Sequence, residues 1–186
     1  MSDSATFPLA LELKAGTASL GSVFSFLSAI YFRGKLAYAE VFKNPPEGVP
    51  GALVITPAAG LQVPEETIGL EQLKSFASVE VSEKNSTFRE PVESDANRIA
   101  RLVSDQCEVV LLGSIATNKY LSVLTDAFGP RLRFPAEFVG RGDMSRGGLM
   151  LRCVADSAEL TYTGCETTRR GPRPPKLQKL PARRPS

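Results

Sequence analysis

The sequence predicts an α/β fold, a single-domain sandwich with a mainly parallel sheet and a C-terminal β-hairpin. Three observations predict it. Two short apolar runs rich in β-branched residues, Ala52–Thr56 and Glu108–Leu112, alternate along the chain with stretches of helical periodicity. Strands that alternate with helices build parallel sheets covered on both faces. The second run is followed by a Gly-Ser loop and a new helical pattern, which reads as a strand–loop–helix unit. Finally, Leu149–Val154 and Glu159–Tyr162 alternate like the two arms of a hairpin.

Taken in order, Phe7–Leu13 reads as a first strand and Lys14–Gly16 as its turn. From Thr17 the period changes. Val23, Phe24, Leu27, Ile30 and Tyr31 fall on one face of a helix. Ser19, Ser22, Ser25 and Ser28 mark another face, either packed closely against a neighbour or open as a polar stripe. Arg33-Gly34-Lys35 interrupts the pattern before Leu36, Tyr38, Ala39 and Phe42 resume it. A helical glycine costs about 1 kcal/mol relative to alanine. Gly34 therefore marks a break or a close approach, and Arg33 and Lys35 either meet a phosphate there or solvate a helix end.

After a Pro/Gly loop over residues 43–50, Ala52–Thr56 is expected as a buried parallel strand that runs into the glycine loop Pro57–Leu61. Helices are expected over 65–76 and, capped by Ser94, over 95–106, with a polar loop at 83–91 between them. Glu108–Leu112 reads as the second central strand, with Leu111 and Leu112 both buried because helices would cover both faces. A helix over about 120–128 is stopped by Gly129-Pro130, and Arg131–Phe134 is another candidate strand.

Charge divides the chain. Residues 167–186 hold seven of the 22 basic residues and no acid, so the body carries 15 basic against 20 acidic side chains. The expected organisation is an α/β domain over 1–166 and a disordered basic Pro/Arg-rich tail over 167–186. With no histidine at all, Ser-His-Asp and Cys-His catalysis and His-ligated metal are excluded. Cys107, Cys153 and Cys165 are odd in number and lack CxxC spacing, which predicts reduced thiols and no metal cluster. The most apolar run, Val23–Phe32, is too short for a bilayer, which needs about 20 residues. The amino terminus lacks the pattern of an export signal.

The chemistry concentrates in Phe138–Gly148, where four glycines (140, 142, 147 and 148) separate Arg141, Asp143, Ser145 and Arg146. Glycine admits close approach to the backbone, and arginine presents a planar fork suited to phosphate or carboxylate. Together they read as an anion-binding loop. Ligands of open α/β sheets bind outside the carboxyl ends of strands, often at a helix N-terminus. That rule points to the loop 56–61 and to Gly113, Ser114, Thr117 and Lys119, which are either a phosphate cradle with its counter-charge or a tight turn with an ordinary cap. Neither loop has the GxxxxGK[ST] or GxGxxG spacing. Asp143 is the candidate catalytic acid–base group, or else a structural carboxylate paired with a neighbouring arginine.

The segments YFRGKLAYA (31–39), VITPAAGL (54–61), VVLLGSIATNKY (109–120) and FPAEFVGRGDMSRGG (134–148) resemble a group of uncharacterised bacterial Rossmann-like α/β proteins. They are also similar to small Rossmann-like domains found near nucleic-acid and nucleotide-processing genes. The resemblance implies a Rossmann-like sandwich in a bacterial cytoplasmic setting and assigns no residue a role.

The expected function is therefore binding of a phosphorylated ligand, a nucleotide or nucleic-acid end, at the strand carboxyl rim. Arg33, Lys35, Lys119, Arg141 and Arg146 would hold the anion, and whether a reaction follows is left open. The alternative is a non-catalytic interaction module whose basic tail engages nucleic acid or an acidic protein partner. No cofactor is specified by either reading.

Overall fold

The computed structural model describes residues 5–115, 118–167 and 169–177. Helices dominate it. Six α-helices are laid out as α1 (Pro8–Ala15), α2 (Leu20–Phe42), α3 (Leu70–Ser78), α4 (Ser86–Leu102), α5 (Asn118–Phe128) and α6 (Asp143–Asp156). The strands are stubs of two to four residues: β1 (Ala18–Ser19), β2 (Val54–Ile55), β3 (Leu61–Gln62), β4 (Thr67–Ile68), β5 (Val109–Val110), β6 (Leu132–Pro135) and β7 (Tyr162–Gly164).

These strands form no common sheet. β1 pairs antiparallel with β4, β2 pairs antiparallel with β3, and β5-β6-β7 make a mixed three-stranded sheet. The expected Rossmann-like sandwich with a mainly parallel sheet is therefore wrong. Its two intended central strands are separated: 52–56 contributes a two-residue antiparallel arm, and 108–112 contributes the edge strand β5. Only β5–α5–β6 keeps the anticipated strand–helix–strand form, with Val109 opposite Leu132 and Val110 opposite Arg133 in parallel register.

Several local readings change with it. Phe7–Leu13 lies largely in α1, because Pro8 suits the first helical turn and Gly16 closes the end at φ 73°. The expected C-terminal hairpin is overturned: Leu149–Val154 lies inside α6, and β7 pairs with β6 instead. Helix α4 begins nine residues earlier than expected, capped by Asn85 and not by Ser94, and it carries Pro91 inside. Ser19 caps α2 by accepting from the Ser22 amide at 3.2 Å.

Helix α2 is the spine between two hydrophobic clusters. Its first part carries Leu20 and Val23 into a small core with Leu13, Ile68 and Phe76. Its second part carries Tyr38 into the main core, with Phe88, Phe128, Phe134, Phe138 and Met150. The two parts are joined through Ala29, which is forced to φ 48° and ψ −133°. The helix thus breaks at Ala29, and Gly34 is a close approach. A β-carbon on Gly34 would stand 2.7 Å from the carbonyl oxygen of Gly147 in α6. One on Gly147 would stand 2.6 Å from that of Ile30. The glycines let the two helix backbones touch.

Residues 169–177 carry no helix or strand and run past the start of α6. Arg169 reaches Asn118 at 3.4 Å, and the Arg141 guanidinium donates to the Pro175 carbonyl at 3.5 Å. The remainder of the expected tail, 178–186, lies outside the described residues. Among the described residues no helix is long and apolar enough to cross a membrane.

Candidate functional site

The site is built where α2 and α6 cross. Lys35 follows Gly34, so the glycine contact that joins the helices fixes the base of the lysine stem. Its Nζ stands 4.0 Å from the ring centroid of Tyr31, one helical turn earlier. Tyr31 is held in turn by its hydroxyl, which donates to the Leu112 carbonyl at 3.3 Å. Asp143, Arg146 and Lys119 all act on the Lys35 ammonium through space. Residues 84 or more positions away in sequence (Lys119, Asp143 and Arg146) are therefore gathered around one amine.

Lys35 also lines a cavity of about 350 Å³. Phe32, Leu36, Tyr38 and Phe42 of α2 form one wall, the loop carrying Pro46 and Leu53 with Ile55 of β2 forms another, and Val109–Gly113 with Tyr120 and Leu124 form the third. Such a volume is at the small end of ligand cavities, which are mostly apolar with a few polar groups. Burial pushes the Lys35 ammonium down from 10.5 to about 8, with Arg146 and Lys119 adding to the effect and Asp143 opposing it. Burial also raises the Tyr31 phenol, although Arg146 works against that shift. Among the described residues Lys35 makes no salt bridge. The site therefore holds a half-buried cation whose side chain lines a largely apolar space.

Deeper along the same wall, Tyr38 ends in a hydrogen-bond chain. Its hydroxyl accepts from the Leu160 amide at 2.8 Å and lies 2.8 Å from the Tyr162 hydroxyl. Tyr162 donates onward to the Glu159 carboxylate at 2.7 Å, which leaves Tyr38 as the donor to Tyr162. Burial holds both phenols above their ordinary range; the hydrogen bonds add to that shift at Tyr162 and oppose it at Tyr38. The chain ties β7 to α2.

The residues expected at the anion site are divided by the structure. Lys35, Lys119, Asp143 and Arg146 come within electrostatic reach of one another, and Gly113 lines the cavity. Ser114 is half-buried in the same loop, while Thr117 lies outside the described residues. Arg33 is exposed on α2. Arg141 is turned to local partners, donating from Nε to the Glu137 carbonyl at 3.0 Å and from Nη1 to the Ser145 hydroxyl at 3.3 Å. Arg146 is buried, and its Nε and Nη2 donate to the Phe138 carbonyl at 3.3 and 3.2 Å. Its Nη1 lies 3.6 Å from Asp143, whose side chain is 64% exposed.

The stretch 140–148 is thus not a free loop: residues from 143 onward form the first turns of α6, and Arg146 fastens that helix to the short turn before it. The loop 56–61 is also closed on itself. The Thr56 hydroxyl donates to Gly60 and accepts from the Ala59 amide, both at 2.9 Å, and Asp95 accepts from the Leu61 amide. These polar groups are engaged by the loop itself and by Asp95 of α4.

What sequence reasoning missed is the pairing of Lys35 with Tyr31 and the cavity beside it. Tyr31, Lys35 and Tyr38 do share i, i+4, i+7 spacing, and that was the available signal. The three cysteines are unpaired, and burial raises the Cys153 and Cys165 thiols away from reactivity. Among the described residues no group of three His, Cys, Asp or Glu side chains is placed to hold a metal. The chain matches no protein-family model, no curated protein and no solved structure.

Proposed function

We propose that this chain binds a phosphorylated small molecule whose apolar or aromatic part enters the cavity and whose anion is held by Lys35 and Lys119. The observation that carries this reading is Lys35 itself: a half-buried lysine that lines a largely apolar cavity, its ammonium pushed down by burial and, among the described residues, in no salt bridge. Keeping an unpaired cation there opposes folding, and an incoming anion would relieve the cost. Lys119 adds positive charge beside it, its Nζ lying 5.0 Å from the ring centroid of Tyr120, another cavity residue. A nucleotide fits the chemistry on both counts, because its base offers a flat apolar face and its phosphate a full charge. The three unpaired thiols suit a reducing compartment such as a cytoplasm.

Arg146 and Arg141 support the site in this reading and do not grip the ligand, since both spend their donors on the protein. Asp143 moderates the positive field. The test is calorimetric titration with AMP and with adenosine against the native chain, Lys35→Met and Lys119→Met. AMP should bind more tightly than adenosine, and each substitution should weaken AMP by roughly tenfold, the loss of one charge-assisted contact. Equal binding of AMP and adenosine, or AMP binding untouched by both substitutions, would remove the reading.

A further inference from the structure

We propose that Lys35 is a nucleophile that forms an imine with an aldehyde or ketone carried by the phosphorylated ligand. This deepens the binding reading above and rests on it. Three features of the geometry point here. The lysine side chain lines a largely apolar cavity of about 350 Å³, where a carbonyl compound has room to lie beside it. Its stem is fixed between the Gly34–Gly147 helix contact and the Tyr31 ring, which is itself anchored to Leu112. No carboxylate holds it in a salt bridge among the described residues, and of the charges that act on it Asp143 favours the ammonium while two cations, Arg146 and Lys119, oppose it.

An amine attacks carbonyl carbon only in its neutral form, and desolvation beside other cations is one way proteins supply that form. Burial lowers Lys35 to about 8. At pH 7 roughly a tenth of such lysines are neutral, against about three in ten thousand at the ordinary value near 10.5. The lower basicity takes back part of that advantage in intrinsic reactivity. The step balances without any oxidant or reductant. The ammonium first gives a proton to solvent. The nitrogen pair then forms the C–N bond while the carbonyl π pair moves to oxygen, which takes up a proton. The carbinolamine loses that oxygen as water, leaving the imine in equilibrium with its protonated form. Among the groups facing the amine, Tyr31 is held in its neutral form by burial, and Asp143 stands at the solvent edge, where protons exchange with water.

Pyridoxal 5′-phosphate serves as the probe, since it combines an aldehyde, a flat ring and a phosphate. The native full-length chain is treated with it at pH 7 in the presence of cyanoborohydride, and modified lysines are located by peptide mapping. Lys35 should be labelled at least about tenfold faster than the exposed Lys74. Pyridoxal, which lacks the phosphate, should label it several-fold more slowly, and AMP should protect it. Labelling that follows exposure, or that favours Lys119 over Lys35, would overturn the imine. If AMP still binds in that case, and Lys35→Met weakens it, the binding site stands alone. If Lys35 is labelled first but pyridoxal reacts as fast as its phosphate and AMP gives no protection, the nucleophile stands and the phosphate reading falls.

Discussion

At the scale of single residues, Lys35 and Arg146 carry opposite kinds of positive charge. Lys35 has a folded-state pKa near 8 against an ordinary 10.5. Below pH 8 it is protonated in the folded and unfolded chains alike, and the full penalty of its burial is present. Between pH 8 and 10.5 the unfolded chain binds the extra proton, so stability relative to a neutral residue rises with pH. Lys35→Met keeps the stem and removes the charge. It should raise the melting temperature at pH 7, and the gap between variant and native chain should narrow as pH climbs from 8 to 10.5. A gap that does not depend on pH would show that the ammonium is not desolvated. Arg146 is the reverse case. Its guanidinium satisfies the Phe138 carbonyl and lies 5.4 Å from the Phe138 ring centroid. Arg146→Ala leaves that carbonyl without its side-chain donor and should cost about 2–3 kcal/mol in urea denaturation. Asp143, being mostly exposed, is freed at little further cost. A neutral result would return Arg146 to the list of groups free for a ligand.

At the scale of elements, the crossing of α2 and α6 is made by two residues without side chains. Gly147→Ala would push a methyl group into the backbone of Ile30 and Tyr31, where no flexible side chain can yield. The helices must separate, at about 1–3 kcal/mol or more, and Lys35 must move away from Arg146. The expected outcome is a lower melting temperature together with loss of AMP binding; an unchanged melt would mean that the two helices do not depend on this contact. The kink at Ala29 is the opposite case, since φ 48° with ψ −133° is a region glycine enters freely and alanine does not. Ala29→Gly should therefore stabilise the chain by about 1 kcal/mol, even though glycine usually weakens a helix. Destabilisation would show that α2 runs straight through this point.

At the scale of the whole molecule, Leu111 and Leu112 separate the predicted sheet from the observed fold. A strand buried on both faces would make the two equivalent. Leu111 is 6% exposed in the main core, whereas Leu112 is half-buried on the cavity wall and lends its carbonyl to Tyr31. Leu111→Ala should cost about 2–5 kcal/mol and Leu112→Ala clearly less, as chemical denaturation can show. Equal costs would show that Leu112 is packed as tightly as Leu111. The sequence by itself determined much of the helical half, since the apolar periods of α2, α5 and the later part of α4 need no partner to be recognised. It also brought Lys35, Lys119, Asp143 and Arg146 into view, because charge beside glycine is visible in one dimension. It misled over the sheet. A short β-branched run such as 108–112 is the same string of letters whether it is a central strand or an edge stub, and only its partners decide. It misled again over 140–148, where glycines that suggested a loop turn out to bring two helices into contact. The tertiary structure alone decided which cations are spent on carbonyls and which is left at a cavity, because pairing depends on distances between residues far apart in the chain.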